Sequence, residues 1–281
     1  MASDFKRIGF KSILEELANA DNRVDGDYID EQGFLCCGVC HQRKQYETDL
    51  FGDGKRKVPI ACKCDDERLQ KAIDDIKRDE LRKAMTSNGK YDKMTFANDD
   101  GSNEQVTKIC KEYISDWERM YQNNIGVMFY GSVGTGKTHM ACSLANALID
   151  NLASVEIISL SSFLNQSAKF GELDEKIARL MKFKYLMIDD FGAERTTEYA
   201  NEQVFNLINA RYLSEKPVII TTNLSLEQME NEGNIDKHRI YERVLEMCPM
   251  RIKMVGKSKR TVIADEKRKL AAEILKRGVS K

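Results

Sequence analysis

One short segment restricts the fold of this chain more than any other. Residues 131–138 read Gly-Ser-Val-Gly-Thr-Gly-Lys-Thr, between an apolar run at 127–130 and a helical pattern at 137–151. Glycines let the backbone bend so that successive N–H groups point inward, and the positive end of the following helix adds to the same field. A strand, a glycine-rich turn and a helix in this order predict a phosphate-binding loop.

The composition of the loop predicts a nucleoside triphosphate with Mg²⁺ as its ligand. We expect Lys137 to meet the β- and γ-phosphates and the Thr138 hydroxyl to ligate Mg²⁺. The alternative is a glycine-rich turn that binds nothing, and the agreement of loop and flanking elements argues against it. The predicted nucleotide contacts are Gly131, Ser132, Val133, Gly134, Thr135, Gly136, Lys137, Thr138 and His139.

Around this loop, short apolar runs alternate with helical patterns. Such alternation predicts an α/β fold in which helices cover both faces of a parallel sheet. Upstream, helices are predicted at 10–17, 65–85 and 104–121, where apolar residues recur at helical spacing. The five predicted strands are 127–130, 154–159, 185–188, 218–221 and 252–255, and the helices between them are 137–151, 161–182, 199–214 and 225–247.

Polar residues follow two of these strands at the end where open α/β sheets bind ligands. Asp189 and Asp190 follow the third strand; we expect Asp189 to hold Mg²⁺, through water, and Asp190 to orient or deprotonate the attacking water. Glu194 is a weaker alternative to Asp190. Asn223 follows the fourth strand and is predicted to hold the water and sense the γ-phosphate, unless it serves only as a turn or cap residue.

Five of the eight cysteines lie within residues 36–64. Cys37 and Cys40 form one close pair and Cys62 and Cys64 another, which suits four thiolates around one Zn²⁺. Free thiols or a redox pair are the alternatives, and two nearby residues compete as ligands, namely Cys36 and His41. Three cysteines lie on helical patterns and are expected to be buried in the core: Cys110, Cys142 and Cys248.

From charge and hydropathy we expect a cytoplasmic location. No apolar run approaches the ~18 residues that a membrane span needs, and no apolar signal core opens the sequence. Cytosolic thiols are kept reduced, so a disulfide framework is not expected. The net charge is only −1, yet residues 237–281 hold 14 Lys/Arg against 5 Asp/Glu. This basic end predicts an anionic partner.

Four motifs together resemble one family of ATPases. They are GSVGTGKTHMA at 131–141, YLMIDDFGAE at 185–194, INARY at 208–212 and VIITTNLS at 218–225. In this combination and order they resemble the AAA+ ATPases of the DnaC/DnaI helicase-loader group and their IstB transposition-helper relatives, over about residues 95–262. The resemblance implies a P-loop NTPase fold with strand order 5-1-4-3-2, ATP as the nucleotide, and subunits that assemble side by side.

The same resemblance implies roles for several arginines. Arg239 occupies the position of the arginine that reaches a neighbouring subunit's site, with Arg243 as an alternative, unless both are surface residues. Arg260, within Gly256–Arg260, resembles the second sensor that contacts the γ-phosphate. Only 21 residues follow it, which implies a shortened lid. Arg211 is expected either to act in trans or to pair on the surface.

The family also implies partners and a domain plan. Helicase loaders carry an amino-terminal domain that grips the replicative helicase hexamer, and residues 1–64 are the counterpart here. We expect a charged connecting helix and linker at 65–94 and the ATPase domain at 95–281. Single-stranded DNA is an implied partner, with contacts expected from the basic end and from the helix after the second strand unless these are plain solvated faces: Lys253, Lys257, Lys259, Arg260, Ser161, Ser162, Phe163 and Lys169.

The resulting hypothesis is an ATP-driven loader of the replicative DNA helicase, bacterial or phage-encoded, that acts during the initiation of DNA replication. Two alternatives remain open at this point. One is an IstB-like transposition helper with the same ATPase chemistry and a different partner. The other is a nucleotide-switched adaptor with negligible hydrolysis, which stays open because Asp190 has a shorter side chain than a glutamate base.

Overall fold

The computed structural model describes residues 23–49, 54–84, 91–165, 172–193, 197–256, 258, 267–269 and 271–272. It divides into two compact units, Met1–Ile76 and Lys77–Lys281. The helix predicted at 10–17 lies outside the described residues. Within the described part, no helix is long and apolar enough to cross a membrane.

The first unit contains four short strands in two antiparallel pairs. Asp30 shapes the first turn, because its Oδ1 accepts hydrogen bonds from the backbone N–H groups of Gln32 and Phe34. A charged helix that follows the strands begins in this unit and continues past its end at Ile76. Its first turn carries two acidic residues, whose negative charge interacts favourably with the positive end of the helix dipole. These elements are β1 (Tyr28–Ile29), β2 (Leu35–Cys36), β3 (Gln45–Thr48), β4 (Arg56–Pro59) and α1 (Lys63–Ala84).

The second unit is built on a five-stranded sheet in which every neighbouring pair is parallel. In chain order the strands are β5 (Val127–Tyr130), β6 (Val155–Ser159), β7 (Tyr185–Phe191), β8 (Val218–Thr222) and β9 (Met250–Lys253). Their order across the sheet is β6-β7-β8-β5-β9. If β5 to β9 are numbered 1 to 5 along the chain and the sheet is read from β9, this is the predicted order 5-1-4-3-2. The α/β P-loop fold is therefore confirmed.

Helices flank the sheet strands along the chain. In chain order the helices of the second unit are α2 (Glu104–Ser115), α3 (Trp117–Gln122), α4 (Lys137–Asp150), α5 (Leu160–Asn165), α6 (Glu172–Leu180), α7 (Glu198–Leu213), α8 (Leu226–Glu230) and α9 (Ile235–Met247), with a short 3₁₀ turn at Phe96–Asn98. The first of them begins where the upstream helix at 104–121 was predicted, and that prediction is here two helices, α2 and α3.

Successive residues of the strands belong alternately to two separate hydrophobic cores. Phe129 of β5 and Met187 of β7 belong to a core that includes most of α4, and the neighbouring Met128 and Ile188 belong to a second core with residues of α7 and α9. Because strand side chains alternate between faces, each face of the sheet is covered by its own helices. The predicted burial of Cys110, Cys142 and Cys248 is confirmed in these two cores.

Several boundaries differ from the sequence prediction, and the structure gives a physical reason for two of these differences. The last strand begins at Met250, where it pairs with Val127, rather than at Ile252. The single helical pattern at 225–247 is two helices, because Asn234 begins a new one: its side-chain oxygen accepts hydrogen bonds from the N–H groups of Asp236 and Lys237.

Candidate functional site

The glycine-rich loop joins β5 to α4 at the carboxyl end of the central strand. Gly131, Gly134 and Gly136 have φ values of 135°, 85° and 93°, in the region that favours glycine. At Gly131 there is also no room for a side chain, because a Cβ would lie 2.4 Å from the carbonyl oxygen of Met254. The loop therefore depends on glycine both for its conformation and for its close approach to the end of β9.

Lys137 lies inside the loop rather than in solvent. Its side chain is almost fully buried, and its Nζ donates hydrogen bonds to the carbonyl oxygens of Gly131 at 2.9 Å and Ser132 at 2.7 Å. Thr135 is also buried and donates to the Ser132 carbonyl at 3.0 Å. In this position the ammonium group is already surrounded by the loop in which the sequence predicts phosphates.

The two residues predicted to hold Mg²⁺, Thr138 and Asp189, are in contact. The Thr138 hydroxyl donates a hydrogen bond of 2.8 Å to Oδ1 of Asp189, across 51 residues of sequence. Asp189 is 5% exposed, and its Oδ1 also accepts a hydrogen bond of 2.7 Å from the Thr221 hydroxyl. Hydroxyl and carboxylate oxygens are ligands that suit Mg²⁺, so the donor set fits the ion that the loop motif implies.

The other acidic residue and the predicted sensor lie at the same edge of the sheet. Asp190 is exposed, and its φ of 55° is in the left-handed region. Asn223 is also exposed and directly follows β8. Because β7 and β8 are parallel neighbours, both residues are at the carboxyl edge that carries the loop. Their roles toward water and the γ-phosphate stay predictions.

Sequence comparison now places the chain among known proteins. The family described as IstB-like ATP binding protein matches residues 81–261, well over half of the chain. The chain belongs to the IstB-like ATP-binding family. This confirms the resemblance found in the motifs of the loop and of β7 and β8, and with it the expectation of a nucleotide site.

Individual relatives show how far the similarity extends. YqaM of Bacillus subtilis is 26% identical over 246 residues, which cover 81% of this chain and 71% of YqaM. The replicative helicase loader DnaI of Bacillus subtilis is 25% identical over 158 residues, so this chain spans about half of its length. A crystal structure of DnaI aligns with a TM-score of 0.50 and 21% identity, over 62% of this chain and 95% of that chain, which shows a shared fold.

In this member of the IstB-like family, Arg239 and Arg243 have very different surroundings. Arg239 on α9 is exposed. Arg243, one turn later, lies with its guanidinium 4.8 Å from the ring centre of Phe205 and 5.7 Å from that of Tyr212, and so contacts its own chain. Exposure makes Arg239 the one of this pair that is accessible to a neighbouring subunit.

Both expectations for Arg211 are wrong. Its side chain is fully buried and donates hydrogen bonds to three backbone carbonyl oxygens, those of Phe183 at 3.1 Å, Lys184 at 2.7 Å and Pro217. Burial lowers the pKa of this guanidinium to about 9. A buried side chain with these partners neither pairs on the surface nor reaches another subunit; it ties α7 to the segments before β7 and β8.

Several other predicted residues receive a partial answer. Glu194, Lys169, Lys257, Lys259 and Arg260 lie outside the described residues. Of the residues expected to face DNA after the second strand, two are exposed and one is not. Ser161 and Ser162 are at the surface, and Phe163 is buried in the second core, so its expected exposure to DNA is wrong.

The four predicted zinc ligands come together in the first unit. One sulfur atom from each of the four lies within 4.8 Å of all the others: Cys37, Cys40, Cys62 and Cys64. The two competing residues lie outside this cluster, since Cys36 donates toward Asp30 and the His41 ring lies against Tyr28. Four sulfurs this close suit tetrahedral Zn²⁺, whose Zn–S distances are about 2.3 Å.

A buried ammonium group supports the turns that carry these cysteines. Lys44 is fully buried and pairs with Asp27 at 2.9 Å and with Asp65 at 3.2 Å. Asp27 in turn accepts a hydrogen bond from the N–H of Gly38, and Asp65 accepts one from the N–H of Cys62. Lys44 thereby connects the backbone of both cysteine pairs, a contact that sequence spacing gives no means of predicting.

Proposed function

We propose that this chain is an ATPase that loads the replicative DNA helicase. The observation that carries the ATPase part is the group formed by buried Lys137, half-buried Thr138 and buried Asp189, with Asp190 exposed beside it. The similarity to DnaI, over about half of that protein, supports the loader part. Single-stranded DNA and further copies of this chain complete the proposed assembly.

In this proposal each residue of the site has a defined task toward ATP. The N–H groups and Lys137 of the loop bind the phosphates, and Thr138 and Asp189 would hold Mg²⁺, which would neutralise part of the phosphate charge. Asp190 accepts a proton from the attacking water, and Asn223 orients that water. Arg239 of a neighbouring copy and Arg260 of the same chain stabilise the charge of the transferred group.

Hydrolysis is tested first, with the full chain. We expect phosphate release that depends on Mg²⁺ and rises with single-stranded DNA, and we expect Lys137→Ala to abolish it. Arg239→Ala should reduce hydrolysis by ~10³-fold or more while nucleotide binding persists, since an arginine supplied in trans contributes about that much. Lys237→Ala, on the same helix, is the matched control. Phosphate release no higher than that of Lys137→Ala would leave the nucleotide-switched adaptor as the function.

Partner identity needs a separate measurement. We expect the full chain to co-purify with the replicative helicase hexamer of its bacterial host in the presence of ATP. Absence of binding with ATP, with ADP and without nucleotide would refute the loader proposal. Selective capture of a transposase instead would identify a transposition helper with the same ATPase chemistry.

We also propose that the first unit binds one structural Zn²⁺ through its four clustered thiols, and that residues 1–64 contact the helicase. Metal analysis of freshly reduced protein should give about one equivalent of zinc. Cys64→Ala should lose the metal. Cys36→Ala should keep it, because that thiol lies next to the cluster and outside it. Less than about half an equivalent in the unsubstituted protein would refute the zinc site.

A further inference from the structure

The pairing of β7 with β8 is irregular at the two acidic residues of β7. Ile188 pairs with Ile220, and Phe191 pairs with Thr222, so the register shifts between them. Asp189 and Asp190 therefore both stand opposite the single residue Thr221. A bulge of this kind interrupts the ladder of backbone hydrogen bonds and changes the direction of side chains.

The hydroxyl of Thr221 bonds to both residues of the bulge. It donates to Oδ1 of Asp189 at 2.7 Å and accepts a hydrogen bond of 2.9 Å from the backbone N–H of Asp190. The side chain is fully buried, so water does not compete for these bonds. One hydroxyl has a single proton to donate, and here that proton is directed at the carboxylate.

These two bonds fix the orientation of the Asp189 carboxylate and the backbone conformation of Asp190. Asp189 Oδ1 accepts from Thr221 on one side and from Thr138 on the other, which sets the orientation of the carboxylate. Asp190 has a φ of 55°, which residues with a side chain rarely adopt, and its N–H bond to Thr221 holds this conformation. Removal of the hydroxyl frees both acids at once.

We propose that Thr221 is a positioning residue of the ATPase site, one that orients Asp189 toward Mg²⁺ and holds Asp190 in its left-handed conformation. The inference rests on the proposed function, because it concerns the same nucleotide and metal. Thr221 does not itself contact phosphate in this scheme. It acts through the carboxylate of Asp189 and the backbone of Asp190.

The chain provides a matched control in the next residue. Thr222 is the same residue type on the same strand and is equally buried. Its hydroxyl donates to the carbonyl oxygen of Phe191 at 2.7 Å and accepts from the N–H of Leu224 at 3.1 Å. Loss of the Thr222 hydroxyl therefore removes buried hydrogen bonds of similar length without touching either acid.

The experiment compares Thr221→Val, Thr221→Ser and Thr222→Val in the full chain. Two assays are used. The first measures the gain in affinity for a fluorescent ATP analogue when Mg²⁺ replaces EDTA, and the second measures the kcat and KM of hydrolysis. Thr221→Val should lower the Mg²⁺-dependent gain and kcat by about tenfold each, with affinity in EDTA unchanged within about twofold. Thr221→Ser should restore both to within about threefold, because it keeps the hydroxyl.

Thermal unfolding of every variant shows whether a loss is a general loss of structure. If the Val variant does not fold, Thr221→Ala replaces it, since it removes the same hydroxyl without placing a methyl group against Asp189. A Thr221 variant that keeps the Mg²⁺-dependent gain would overturn the proposal, as would equal losses in Thr222→Val. If unsubstituted protein shows no hydrolysis, the ATPase proposal fails, and the Mg²⁺-dependent gain alone then decides the role of Thr221.

Discussion

Replacing Arg211 with Met is the substitution whose cost the structure defines most directly. Methionine keeps much of the length of the arginine stem but none of its donors. Three carbonyl oxygens then lose their hydrogen bonds, and the one that belongs to Pro217 is in a buried contact. Each buried acceptor left without a partner costs ~1–3 kcal/mol.

The net effect is smaller than the sum of three such costs. The bonds to Phe183 and Lys184 are only partly buried, so water replaces some of what is lost there. The substitution also removes a charge whose burial is unfavourable and an Nε that has no hydrogen-bond partner among the described residues. We therefore expect Arg211→Met to lower the free energy of unfolding by about 3 kcal/mol.

Urea denaturation followed by fluorescence measures this change, because the single tryptophan, Trp117, belongs to the same unit. Arg239→Met is the control, since an exposed arginine should change stability by less than ~0.5 kcal/mol. An Arg211→Met protein as stable as the unsubstituted chain, but without hydrolysis, would show that Arg211 acts at a subunit interface and not as a buried link between α7 and the segments before β7 and β8.

Three further predictions concern the loop and the first unit. Gly131→Ala should weaken binding of an ATP analogue by more than about tenfold, since its backbone and its contacts both exclude a Cβ, whereas Gly233→Ala, in open space, should not. Hydrogen bonds from Lys44 and from a backbone N–H hold the pKa of Asp27 at about 2, below its usual 3.8. The stability that this carboxylate contributes is therefore present above about pH 4 and is lost as the pH falls through 2. Amide exchange of Gly38, which donates to Asp27, should accelerate over this range, and Asp27→Asn should make it less dependent on pH. Removal of zinc from reduced protein by a chelator should accelerate amide exchange across residues 35–65; unchanged exchange would show that the metal does not stabilise this unit.

Sequence patterns were sufficient for most strands and helices of the second unit because these elements have strong local signals, whereas the four short strands of the first unit were not predicted. The loop motif marks the central β-α step, and apolar runs such as Val127–Tyr130 and Val218–Thr222 are bounded by turns. The order of the strands came from family resemblance, not from any local pattern. Boundaries were less accurate where tertiary pairing decides them, as at Met250, which joins β9 only because it lies opposite Val127.

The role of Arg211 was beyond sequence analysis for a different reason. Charged residues are rarely fully buried, so a surface position was the reasonable expectation. Its partners are carbonyl oxygens of residues 183, 184 and 217, which carry no side-chain signal and are up to 28 residues away. A pattern of residue types does not report which backbone groups remain unpaired after the chain folds.

The two acids of β7 show where a prediction of site residues still lacked its structural basis. Adjacent residues of a regular strand point to opposite faces of the sheet, so a regular β7 would separate the side chains of Asp189 and Asp190. The prediction that both serve one nucleotide site therefore requires an interruption of the strand. The bulge opposite Thr221 provides it, and it depends on register between β7 and β8 rather than on any residue pattern within β7. In this chain, the two acids at the end of β7 are thus informative about function only together with the neighbouring strand β8, whose Thr221 bonds to both residues of the bulge.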